Sequence, residues 1–140
     1  MAEDFDLDGF VPYQLAVVAS RTSRALAEVY AAESGLSMPE WRIMAHLMSA
    51  DAVSVREIHQ KTDLDKSKVS RASDRLEAAG LLKKTVNPTD RRLVELQLTA
   101  DGKALMDRLI PLAKAFQSQL LDSIGKDAPV FRQVLARLMA

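Results

Sequence analysis

The stretch from Ser54 to Thr99 reads SVREIHQKTDLDKSKVSRASDRLEAAGLLKKTVNPTDRRLVELQLT, and it carries the pattern that decides the fold. Two short helical patterns come first, and the second of them is basic. Two runs rich in branched residues follow, separated by a polar loop from Asn87 to Arg92. Two helices joined by a short turn and followed by a hairpin are typical of a winged helix-turn-helix, whose second helix enters the DNA major groove. The sequence therefore predicts a mainly α fold with a small β-hairpin wing.

The charge of the chain is unevenly distributed, although its formal net charge is zero. Residues 1–55 carry a net charge of −5, residues 56–92 carry +4, and residues 93–140 carry +1. Affinity for DNA depends mostly on lysine and arginine side chains that neutralise phosphates. The positive middle segment therefore favours one nucleic-acid-binding region within a chain that is neutral as a whole.

The basic helix of this region has a polar face that could contact DNA. Helical spacing places Ser70 and Arg71 on the side opposite Val69 and Ala72. Arg71 is long enough to reach guanine acceptors, while lysines at the helix start suit phosphate anchoring. A solvated helix with an ordinary mixture of charges would show the same pattern, so this helix alone leaves both interpretations open. The candidate DNA-binding residues of the helix are Lys66, Ser67, Lys68, Ser70 and Arg71.

The hairpin loop supplies a second candidate contact surface. Arg91 and Arg92 lie at its tip, where an arginine can enter a narrow minor groove of strongly negative potential. Asp90 can hydrogen-bond the local backbone or a neighbouring arginine. Arginines on a surface hairpin are common, but the order of capped helix, basic helix, glycine stop and basic hairpin favours DNA binding. Asp90, Arg91 and Arg92 are therefore added to the candidate DNA-binding residues.

Long amphipathic helices flank this region on both sides. One is predicted over residues 11–34, ending near Gly35, and two more over 100–140. Their apolar stripes have no obvious partner in the small winged helix-turn-helix region between them (the head). Packing within the chain would nevertheless explain the apolar character of any one residue equally well. One head also makes few base contacts, whereas a two-fold dimer places two heads about 34 Å apart on one DNA face. The candidate intersubunit residues are Leu15, Val18, Leu109, Phe116, Phe131, Leu135 and Leu138.

Other chemistry finds little support in the sequence. The chain has no cysteine, and His46 and His59 have no carboxylate at metal-ligand spacing, so we expect no metal, no cofactor and no enzymatic site. The N-terminus is acidic where a secretory signal needs positive charge, and no run of about 18 apolar residues occurs. We therefore expect a cytoplasmic protein without a membrane partner.

Three motifs resemble the signature of the MarR family of transcriptional regulators. They are Gly80-Leu81-Leu82, then Asp90-Arg91-Arg92, then Leu98-Thr99-Ala100-Asp101-Gly102. The segment 36–42 also resembles the opening of the family's second helix, so the likeness covers nearly the whole chain. Residues 1–140 are therefore expected to form a single MarR-like chain. The resemblance implies a winged helix-turn-helix over 37–99 and dimerisation helices over 11–34 and 100–140. It also makes Arg92 the minor-groove residue and Asp90 its positioner.

The resemblance further implies a homodimer that binds a pseudo-palindromic operator in double-stranded DNA, usually as a repressor. Many such proteins release DNA when a small, often phenolic or aromatic, effector binds. A ligand cavity would lie between the dimer helices and the DNA-reading head, and the residues predicted to border it are Tyr13, Arg21, Trp41 and Met44.

An alternative function, from another class, is a winged-helix protein-interaction module that has lost DNA binding. Such a module would lack basic residues on the helix face and the wing, and this chain retains them.

Overall fold

The computed structural model describes residues 4–50 and 52–140. The first three residues of the acidic N-terminus and Asp51 lie outside this part. The helices are α1 (Val11–Ser34), α2 (Met38–Met48), α3 (Val55–Thr62), α4 (Lys66–Ala78), α5 (Ala100–Ile124) and α6 (Ala128–Met139). A single 3-10 turn, Gly125–Asp127, joins the last two helices. The strands are β1 (Val53–Ser54), β2 (Leu82–Val86) and β3 (Val94–Leu98).

Local capping sets where the helices of the head begin. Ser37 forms a complete capping box with Glu40, because each side chain accepts a hydrogen bond from the other residue's backbone N–H. Ser54 caps α3 by accepting from the N–H of Glu57. Asp65 caps α4, whereas Asp63 ends α3 in the left-handed conformation with φ 56°.

The wing is part of a three-stranded antiparallel sheet with strand order β1-β3-β2. The hairpin of β2 and β3 pairs Leu82 with Leu98 and Val86 with Val94, as the alternation of apolar residues predicts. The sequence did not predict β1, whose Val53 pairs with Leu96 and is buried. Two residues are too short to show an alternating pattern, so only the sheet edge offered by β3 reveals them. The mainly α fold with a small β wing is confirmed.

The core lies under the sheet and among α2 to α5. Its fully buried side chains include Ile43, Met44, Ile58, Val69, Leu76, Leu96, Met106 and Leu109. In contrast, α6 buries none of its side chains, and much of the first half of α1 is exposed. No helix in the described ranges is long and apolar enough to cross a membrane.

A group of hydrogen bonds joins the base of the wing to α5. The Thr99 N–H donates to Leu81 O at 3.1 Å, and its hydroxyl donates to Gly80 O at 2.7 Å. The same Thr99 Oγ1 caps α5 by accepting from the N–H of Gly102 at 3.0 Å. These bonds fix the direction in which the long helix leaves the head.

Candidate nucleic-acid interface

The basic helix α4 presents the polar face that the sequence predicts. Val69, Ala72 and Leu76 are completely buried on its inner side. The five candidates Lys66, Ser67, Lys68, Ser70 and Arg71 are exposed on the outer side. One end of a basic helix and its long side chains are thus free to approach a polyanion.

Asp65 organises the start of this helix. Its Oδ1 accepts from the Lys68 N–H at 2.8 Å and from the Ser67 hydroxyl at 2.8 Å. The backbone bond from Lys68, followed by the bond from Ser67, lowers the pKa of the Asp65 carboxyl below its ordinary value. Because the Ser67 proton is engaged in this cap, its hydroxyl offers DNA an acceptor more readily than a donor.

The wing loop is organised by a residue that the sequence interpretation overlooked. Asn87 Oδ1 accepts from the Thr89 N–H at 2.9 Å, from the Thr89 hydroxyl at 2.7 Å and from the Asp90 N–H at 3.1 Å. The Asn87 N–H also donates to Leu93 O, which closes the loop. An Asn-Pro pair is a turn signal that could have identified this role.

Asp90 and Arg92 form a local pair at the wing tip. Asp90 Oδ1 accepts from both the backbone N–H and the Nε of Arg92 at 3.1 Å, and Oδ2 accepts from Nη2 at 3.4 Å. These bonds, the side-chain bond first, lower the pKa of the Asp90 carboxyl. The Arg92 side chain nevertheless remains 91% exposed. Asp90 therefore holds the guanidinium in place without covering it, and Arg91 beside it is also exposed.

The wing is also tied to α4 by contacts that span seven to ten residues. The Lys84 ammonium pairs with Asp74, and the Lys84 N–H donates to Glu77 Oε2 at 3.1 Å. Asp74 lies on the outer side of α4, where an unpaired carboxylate would repel DNA. Its pairing with Lys84 reduces that repulsion and fixes the wing relative to the helix.

The turn between α3 and α4 is held from two sides. The ring Nδ1 of His59 is hydrogen-bonded to Leu64 O. On the other side, Arg42 of α2 donates from its Nη1 to Thr62 O at 3.4 Å. His59 thus belongs to the framework of the helix-turn-helix.

The four residues predicted to border a ligand pocket do not line the cavity found near their expected place. Tyr13 and Arg21 are exposed, Trp41 stacks on Tyr30 with ring centroids 5.0 Å apart, and Met44 is completely buried in the core. Met44 was misassigned because apolar periodicity does not separate core from cavity lining. A cavity of about 380 Å³ does lie between α1 and α2. Its lining residues are Ala19, Ser20, Ser23, Arg24, Ala27, Met38 and Arg42.

The seven candidate intersubunit residues fall into three groups. Leu109 is only 1% exposed and packs in the core of its own chain, so its assignment to an intersubunit core is corrected. Phe116 is half-buried and Leu138 is exposed. The remaining four line an apolar groove of about 580 Å³ between α1, α5 and α6, and they are Leu15, Val18, Phe131 and Leu135.

Comparisons with known proteins agree with this architecture. A MarR family model matches residues 34–93. The transcriptional repressor MdtR of Bacillus subtilis is 26% identical over 95 residues, which cover 68% of this chain and 61% of that repressor. A MarR family regulator from Silicibacter pomeroyi superposes with a TM-score of 0.80 at 28% identity, covering 100% of this chain and 94% of that one.

The fold is also similar to that of BpsR from Bordetella bronchiseptica, whose DNA binding is regulated by 6-hydroxynicotinic acid. The TM-score is 0.82 at 24% identity, and the superposition covers 96% of each chain. MdtR and the Silicibacter pomeroyi protein are both named as transcriptional regulators.

Proposed function

We propose that the chain is a transcriptional regulator of the MarR family, a cytoplasmic homodimer that binds a pseudo-palindromic operator, and the family match over residues 34–93 supports this. The observation that carries the proposal is Arg92, held by Asp90 and exposed beside the polar face of α4. Residues 37–99 form the DNA-binding head, and the helices of 11–34 and 100–140 form the dimer. Retention of the basic residues disfavours a protein-interaction module without DNA binding.

Each part of the head has a separate role in this proposal. Arg71 reads base edges in the major groove, with Ser67 and Ser70 as short partners. Lys66, Lys68 and Arg91 neutralise phosphates, which adds affinity without sequence preference. Arg92 enters the adjacent minor groove.

The dimer buries the apolar groove defined by Leu15, Val18, Phe131 and Leu135. A single chain exposes these side chains over a continuous surface, which is unfavourable in water and typical of an intersubunit contact. Because α6 has no buried residue within its own chain, a second copy is the partner that its amphipathic face requires. The pairing sets the distance between the two heads.

The cavity between α1 and α2 is the effector site in this proposal. Arg24 and Arg42 line it, and none of the described acidic side chains does. A ligand with an anionic group, such as an aromatic carboxylate, therefore suits this cavity. Arg42 also donates to Thr62 O at the α3–α4 turn. A ligand that takes this guanidinium removes a support of the turn that precedes α4, and so lowers operator affinity.

A mobility-shift titration at fixed salt tests the DNA contacts. The operator is first selected from a random DNA pool. Loss of the bidentate contact in Arg71→Ala should weaken binding by about ten- to a hundredfold and relax preference at one base pair. Lys68→Ala should weaken binding to all sequences alike and reduce the salt slope by about 1. Lys126→Gln, at an exposed position outside the head, is the control. Unchanged DNA binding by both the Arg71 and the Lys68 variants would refute the assignment of α4 as the recognition helix.

Sedimentation tests the dimer. Leu135→Asp places a charge in the apolar groove and should give a monomer with weakened operator binding. Val130→Asp changes an exposed residue of the same helix that does not line the groove, so it should remain dimeric. A dimeric Leu135→Asp variant would place the interface elsewhere.

A titration with 6-hydroxynicotinic acid as the probe tests the effector site. The probe should release operator from the wild type, whereas Arg24→Gln should keep operator binding and lose the response. An equal response in both proteins would contradict the role of this cavity.

A further inference from the structure

A second cavity, of about 190 Å³, lies where the start of α3, the middle of α4 and the wing hairpin meet. Its lining contains three cationic side chains and three hydroxyls, and none of the described acidic side chains belongs to it. The lining residues are Ser54, Val55, Arg56, Ser70, Ser73, Lys84, Arg92, Leu93 and Val94. Such a lining is suited to an oxyanion.

Ser73 adds an independent observation. Its side chain is completely buried, lines the cavity, and its Oγ has no hydrogen-bond partner among the described residues. A buried hydroxyl without a partner is unfavourable in a folded protein, so such a group requires an explanation. An oxygen atom of a bound anion would accept its proton.

The position of the cavity relative to the proposed DNA contacts indicates which anion it binds. If α4 lies in the major groove and Arg92 in the neighbouring minor groove, one sugar-phosphate strand must pass between them, because that strand separates the two grooves. Ser70 of α4 and Arg92 of the wing both line the cavity, so it lies between the two proposed groove contacts. We propose, on the basis of the proposed function, that the cavity binds a tetrahedral oxyanion. This anion is a single phosphate of the intervening DNA strand, and Arg56 and Ser73 contact it.

The charges around the cavity support a phosphate that arrives as part of DNA. Lys84 pairs with Asp74, and Arg92 pairs with Asp90, so two of the three cations are partly neutralised from outside the cavity. Arg56 is also close enough to favour the charged form of Asp90. Free inorganic phosphate should therefore bind weakly, whereas a phosphate held in place by the rest of the duplex gains the full set of contacts.

Duplexes that carry one neutral methylphosphonate at a defined position test the proposal. For the wild type, neutralising one phosphate per half-site, between the major-groove and minor-groove contacts, should weaken binding about tenfold. Arg56→Gln should weaken binding to the unmodified duplex by a similar factor and show little further loss when that phosphate is neutral. Ser73→Ala should show the same non-additivity with a smaller factor, and Lys126→Gln should behave as wild type. Additive losses at every phosphate would overturn the proposal.

A titration with inorganic phosphate, without DNA, separates the two sources of the anion. Amide NMR shifts of Arg56 and Ser73 that are reversed by operator would identify a site for free phosphate as well. Should the wild type bind no duplex, the function proposed above fails, but the same shifts would still support the oxyanion site. The oxyanion site itself would be refuted if phosphate caused no shifts and if the Arg56→Gln loss were additive with neutralisation of the phosphate. Arg56 is exposed, so its variant keeps the test valid even if Ser73→Ala alters the fold.

Discussion

Substitution of Gly102 by alanine should destabilise the protein, although the same change in an ordinary helix is stabilising. Gly102 is buried in the first turn of α5, where the helix start crosses the base of the wing. A Cβ atom there would lie 2.0 Å from Leu81 O and 3.1 Å from its carbonyl carbon. Leu81 O cannot move aside freely, because it accepts the Thr99 N–H that joins the wing to α5.

The expected size follows from two opposing effects. Alanine is the better helix former by about 1 kcal/mol, which would raise the free energy of unfolding. Relief of the clash requires the helix and the wing base to separate, and overpacking of this kind costs about 1–3 kcal/mol, occasionally more. Because the clash is with backbone and is severe, we expect a net loss of about 2 kcal/mol. This corresponds to a decrease in melting temperature of roughly 6 °C.

Urea unfolding at a fixed protein concentration measures this effect. The control is Ala104→Gly, at an exposed position of the same helix, where loss of the Cβ should cost about 1 kcal/mol. The strain argument thus predicts that adding a Cβ at 102 and removing one at 104 both destabilise. A Gly102→Ala protein as stable as the wild type, or more stable, would refute the argument.

Three further predictions concern single side chains. Tyr30→Phe should raise the free energy of unfolding by about 1 kcal/mol in urea titrations, because its buried hydroxyl has no partner among the described residues; a loss of stability would contradict this. Ser37→Ala should lower it by about 1 kcal/mol through loss of the capping box, and an unchanged midpoint would argue against the cap. Arg92→Gln should return the lowered pKa of Asp90 toward its ordinary value in a carboxyl NMR titration. Since that pKa is lowered in the fold, the Asp90–Arg92 contact is present above the ordinary aspartate range and is lost as pH falls through the lowered value.

The sequence by itself determined the features that depend on near neighbours along the chain. The caps at Ser37, Ser54 and Thr99 join residues three positions apart, and the Asp90–Arg92 pair joins residues two positions apart. The alternation of β3 likewise follows from a period of two. Such features are visible in sequence because a helical turn or a strand repeat brings these residues together whatever the rest of the chain does.

Only the tertiary structure decided which surfaces meet. An apolar stripe shows that Leu109 is buried, but the crossing of α5 over the head decides that the burial is within its own chain. The pairing of Lys84 with Asp74, the β1 strand and the cavity around Ser73 also join elements that are separate in sequence. Periodicity gives the direction of a side chain relative to its own element, whereas these contacts depend on the angles and distances between elements, which no local pattern specifies.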